Sequence, residues 1–107
     1  MNSEALLEAM WKAARTAAGA QIKDLRGYLD KEIAAIAKGA IAIEVDLLSG
    51  RIKQSQAKRA WDDLADSAID IQLAVEVILQ AAAQDAINAA LGVASKALSK
   101  AIGFAII

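Results

Sequence analysis

Apolar residues recur along the first half of the chain at Leu6, Met10, Ala14, Ala17, Gln21 or Ile22, Leu25, Leu29, Ile33, Ile36, Ala40, Ile43 and Leu47. Steps of three and four draw one stripe down a helix. A second series, Ala57, Trp61, Leu64, Ala68, Ile71, Val75, Ile78 and Ala82, alternates the same steps and reads as a heptad-like seam. Between them lies the clearest punctuation in the chain. Gly50 suits the left-handed position just past a helix end, Ile52 is placed to staple the next helix, and Gln56 falls where a capping glutamine reaches back. The pattern predicts an all-α fold: a long antiparallel helical hairpin with its turn near residues 49–53, associating into a helical bundle. A three- to four-helix bundle is the alternative. Ser3 is the expected cap of the first helix, and a break at Gly19 is the expected point of division if the first arm is not continuous.

Residues that face each other in antiparallel arms have position numbers with a constant sum, which gives a register. Glu44 with Arg59, Asp46 with Lys58, Lys38 with Asp66, Arg26 with Glu76, Glu8 with Lys96 and Glu4 with Lys100 all add to between 102 and 104. Opposite charges thus line up along the whole hairpin. Two helices alone share only a seam, yet Ile33 to Ala37, Ala40 to Ile43, Val75 to Leu79 and Ala81 to Ala83 are apolar nearly all the way round. The hairpin is therefore expected to need a further apolar partner, most economically another copy of itself.

Composition supports the helical reading. There is no proline, about a quarter of the residues are alanine, and the only Tyr and Phe are Tyr28 and Phe104. Alanine is the best helix former, whereas strands favour β-branched and aromatic residues. At 107 residues and 57% hydrophobic, the chain is expected to form one helical domain spanning 1–107. Its net charge of −1 leaves no basic footprint for a phosphate backbone, so no nucleic-acid partner is expected.

Histidine and cysteine are both absent, which removes the commonest general base and the usual thiolate nucleophile. The six glycines form no phosphate-cradling loop. No enzymatic activity, cofactor, metal site or small-molecule substrate is expected. Asp62, Asp66 and Asp70 stand in a row at steps of four beside Asp63, a spacing open to hard cations but expected to be a solvated or salt-bridged ridge facing Lys31, Lys38 and Arg59.

The N-terminus lacks the basic stretch and apolar run of a secretory signal, and the longest charge-free stretch, Ala86 to Ser95, falls well short of the ~20 residues a spanning helix needs. A soluble chain without a transmembrane helix, cytoplasmic by default, is expected. Residues 91–107 place Ser95, Lys96, Ser99 and Lys100 on one face and aliphatics on the other, so a membrane surface enters as a second candidate partner.

A chain of this length hinged at a mid-chain turn resembles the small secreted Trp-x-Gly helical hairpins. The turn here reads Leu48-Ser49-Gly50 without the tryptophan, and the tail lacks that family's Tyr-x-x-x-Asp/Glu export signal. The Leu-x-x-Gly-x-Ile run from Leu47 to Ile52 likewise resembles a common helix-turn-helix element over that short stretch. No membership follows from either.

The functional expectation is a non-enzymatic structural or assembly protein that self-associates through Ala-rich faces, as small phage or secretion subunits do. A membrane-active protein using its C-terminal helix, or a module that binds and antagonises or chaperones another protein, are the alternatives. The expected interface residues are Trp11, Ile33, Ile36, Ile43, Trp61, Ile71, Val75, Ile78, Phe104 and Ile106.

Overall fold

A computed structural model describes residues 1–68 and 75–107. Among them are four α-helices: α1 (Ser3–Ala18), α2 (Ile22–Leu48), α3 (Gln54–Ala68) and α4 (Gln80–Ile102). They form an all-α helical bundle, with α4 packed on α1 and α2, and α3 on the far side of α2.

The turn falls where the sequence places it. Gly50 adopts φ +81°, Arg51 N–H donates to the Asp46 carbonyl at 2.9 Å, and Lys53 N–H donates to the Gln56 side-chain oxygen at 2.8 Å. The glutamine therefore closes the start of α3 as expected. At the first helix the cap is Asn2 rather than Ser3. The Asn2 Oδ1 accepts from the Ala5 N–H at 3.0 Å, three residues on, which is the geometry that satisfies an orphan donor of the first turn.

Neither arm is a single straight rod. A hairpin with an uninterrupted arm from Ser3 to Leu48 would be about 70 Å long at 1.5 Å per residue, whereas the molecule measures 43 × 25 × 18 Å. The first arm divides at Gly19, whose φ of +62° and ψ of −134° lie in a region that favours glycine, and a 3₁₀ turn over Gly19–Gln21 sends α2 back along α1. The second arm has its own 3₁₀ turn at Val77–Leu79, immediately before α4. The hairpin is thus folded double at mid-length.

Both halves nevertheless keep the predicted register. Gly39 on α2 lies so close to α3 that a Cβ there would stand 2.7 and 2.8 Å from the Leu64 methyls, and those two positions add to 103. On α1 and α4, Ala5 and Ala9 share a recess with Val93 and Ala97; pairing Ala9 with Val93 and Ala5 with Ala97 gives 102. Apolar seams set this register, because the six expected charge pairs do not form. Among the described residues the ion pairs are Arg51 with Asp46 at 2.8 Å and the Met1 ammonium with Glu44. Exposed pairs are worth only ~0–1 kcal/mol each, too little to direct packing.

Folding double supplies the interior that a lone hairpin lacks. Leu25, Leu29, Ile33 and Ile36 of α2 meet Met10 and Ala14 of α1 and Ile87, Ala90, Ala94 and Leu98 of α4, all at most 1% exposed. Burying one such aliphatic side chain contributes about 1.5–3 kcal/mol. Alanines at 14, 83, 86, 90 and 94 are fully buried, and their small side chains let the α1 and α4 backbones approach closely. The fold-back also carries Met1 to the far end of α2. There its ammonium donates to both Glu44 carboxylate oxygens at 2.9 and 3.0 Å, which neutralises a carboxylate that is only 7% exposed.

The C-terminal tail is held as well. Gly103 takes φ +85° and its N–H caps Ser99, so the chain turns back and the Ile106 N–H donates to the Ser99 hydroxyl at 2.9 Å. Ile106 is 1% exposed, and the Lys58 ammonium lies 5.8 Å from the centre of the Phe104 ring.

Candidate functional site

The residues expected at an interface separate into three groups. Ile33, Ile36, Ile43, Trp61 and Ile106 are buried by the chain's own helices and present no surface to a partner in this state. For the α2 isoleucines the reason is the fold-back, which covers apolar stretches that a straight hairpin would leave open. Trp61 lies on α3, which packs on α2 as in a straight hairpin, and Ile106 is held by the turn of the tail at Gly103. Trp11, Val75 and Phe104 are half-buried at the edge of the core, and Ile78 is 77% exposed. Ile71 lies outside the described residues.

The acidic ridge carries little organisation. Asp62, Asp63 and Asp66 are exposed on α3, Asp70 lies outside the described residues, and none of the three makes an ion pair with Lys38, Lys31 or Arg59 among the described residues. No grouping of three or more metal-ligating side chains occurs among the described residues.

Three surface features remain. The first is a shallow apolar trough between α1 and α4. One part is lined by Ala9, Ala13, Ala17 and Ala89 with Lys12 and Thr16, and it continues past Ala5 and Val93 to Ala97. Its signal in the sequence is alanine at steps of four, at positions 5, 9, 13 and 17. Sequence reasoning found the alanine bias without locating it, because the same spacing serves the buried seam and the open trough equally. The charged α1 side chain lining the trough is Lys12, whereas Glu8 lines a separate recess with Trp11, Arg15, Arg26 and Asp30 on the α2 side of α1. Lys96 and Lys100 of α4 are exposed and form no ion pair among the described residues.

The second feature is at the fold-back end, where Gln21, Asp24 and Tyr28 of the first arm share a recess with Val75, Glu76, Ile78 and Leu79 of the second. Beside it Val77 is 83% exposed. At the opposite end Val45, Leu48 and Ile107 are also exposed, scattered around the mid-chain turn.

The third feature corrects the sequence-based localisation. Val77–Ile102 is a 26-residue helical run with a mean hydropathy of 1.3 over its most apolar 18 residues, long and apolar enough to cross a membrane by length and composition. A strictly charge-free stretch was too narrow a test, because isolated Asp85 does not outweigh the aliphatics and alanines around it. Only 33% of that window is buried within the bundle. The cytoplasmic default therefore falls.

No family model matches the chain, and neither a curated protein nor a solved structure similar to it was found.

Proposed function

We propose that the chain is a non-enzymatic assembly subunit that associates with further copies of itself through the α1/α4 trough. The observation that carries this reading is the trough itself, an apolar strip floored by alanine that would let a helix from a second copy approach closely. Because the chain contains no cysteine, a single Ala9→Cys substitution gives an unambiguous probe. Mild oxidation is expected to cross-link this variant into covalent dimers, while Gln54→Cys, exposed on α3, stays monomeric. Equal cross-linking at both positions, or none at either, would remove the trough from consideration.

A second reading is favoured by one specific observation, the long apolar run Val77–Ile102, a third of whose most apolar window is buried in the bundle. In that reading α4 leaves the bundle for lipid. A polarity-sensitive dye on Val93→Cys is expected to shift to the blue when vesicles are added. A spectrum unchanged at saturating lipid would rule the reading out.

A further inference from the structure

The fold-back has an unusual property: the sequence pattern runs straight through it. Both stripes cross the fold-back points without a change of phase, the first through Ala17, Gln21 or Ile22, and Leu25, the second through Val75 and Ile78. The second arm has neither glycine nor proline between Gly50 and Gly92. Each half keeps the register that one straight hairpin would have, near 103 for α2 with α3 and 102 for α1 with α4. The two fold-back segments also lie side by side, sharing the recess lined by Gln21, Tyr28, Val75 and Ile78.

In the closed bundle the seam residue Ile78 is wasted on solvent at 77% exposure, next to Val77 at 83%. In a straight hairpin of register 103, Ile78 would stand opposite Leu25 and Val75 opposite Tyr28. The start of α4 has no side-chain cap holding it in place, and no side-chain hydrogen bond or ion pair among the described residues ties α4 to another helix. Closure is therefore held by apolar packing together with the Met1–Glu44 ion pair and the Lys58–Phe104 contact, all of which a second copy supplies equally well.

We infer that the chain opens at Gly19–Gln21 and Val75–Leu79 into the straight hairpin, and that two opened copies exchange their α1/α4 halves, each docking on the other's α2/α3. The exchanged dimer repeats every packing contact of the closed bundle and adds the straight seam across both hinges. Exchange of identical elements between copies joined by such hinges is a low-cost route to a dimer. This goes beyond association through the trough, because it needs no trough contact and predicts a different path of the chain.

Gly19→Ala is the direct test. No atom of the described residues lies within 4 Å of a Cβ at this position, so the substitution acts through the backbone: it disfavours φ +62° and favours a continuing helix. The ratio of exchanged dimer to closed monomer is expected to rise roughly tenfold or more, read by light scattering. A pair of spin labels within one chain, diluted with unlabelled protein, should show α1 moving away from α2. Gly92→Ala, inside α4 and away from both hinges, with no atom of the described residues within 4 Å of an added Cβ, should leave the ratio unchanged. Adding Ile78→Asp to Gly19→Ala should return the mass to monomer, because this side chain is exposed when closed and seam-buried when open.

A Gly19→Ala protein that stays monomeric, or that dimerises while its labels stay close, overturns the inference; the second outcome leaves trough association standing. Should Gly19→Ala not fold, the wild type decides. Its long-distance fraction must grow with protein concentration, and a fraction that stays at zero overturns the exchange.

Discussion

Replacing Ile87 by alanine is expected to cost the bundle about 2–5 kcal/mol, the range for truncating a fully buried aliphatic side chain whose surroundings relax incompletely. Ile87 is 0% exposed and stands on the face of α4 that meets α1 and α2. The loss combines the transfer free energy of the removed atoms with an unfilled cavity. The better helix propensity of alanine returns only ~0.5 kcal/mol. For a domain of this size each kcal/mol lowers Tm by about 4–8 °C, so thermal and urea unfolding followed by circular dichroism will register the change. Leu48→Ala is the matched control, since Leu48 is 64% exposed at the end of α2, and a surface truncation there should stay within about 0.5 kcal/mol. Similar losses at the two positions would mean that α4 is not docked where the structure places it.

The balance between what the sequence revealed and what it hid follows from the physics of each element. The mid-chain turn was legible because it depends on local chemistry: Gly50 at positive φ and Gln56 reaching back to Lys53 are each specified within a few residues. The register near 103 was legible because a tight turn centred on residues 50–53 fixes the sum of facing positions, although the charges that first pointed to it form none of the expected pairs. Gly19 was recognisable as a weak point, since glycine relaxes the backbone. That the chain reverses there was not, because a straight arm and a folded one satisfy the same 3.6-residue period.

The candidate interface suffered from that same ambiguity. Ile33, Ile36 and Ile43 looked like surplus apolar surface only on the assumption that nothing else in the chain could cover them, and α1 and α4 do so by folding back. The trough between α1 and α4 was hidden for a related reason. An alanine at position 9 and one at position 14 are indistinguishable by composition, yet Ala9 is exposed and Ala14 is fully buried. The link between the Met1 ammonium and Glu44 had no sequence signal at all, because it joins residues 43 positions apart that only the reversal brings together.

The central claim is that the hairpin is folded double, and the distance between its first residues and the end of α2 tests it most directly. Along a continuous helix, residues 3 and 45 would lie about 60 Å apart. In the bundle the Met1 ammonium touches Glu44, and Ser3 and Val45 are both exposed neighbours of that contact, which suits them for labelling without disturbing the core. Spin labels on Ser3→Cys and Val45→Cys, measured by pulsed dipolar spectroscopy at low micromolar concentration with excess unlabelled protein, are predicted to give a narrow distribution below roughly 25 Å, given the adjacency of the helix ends. A dominant distance near 60 Å under those conditions would show α1 and α2 running on as one rod and would contradict the folded hairpin.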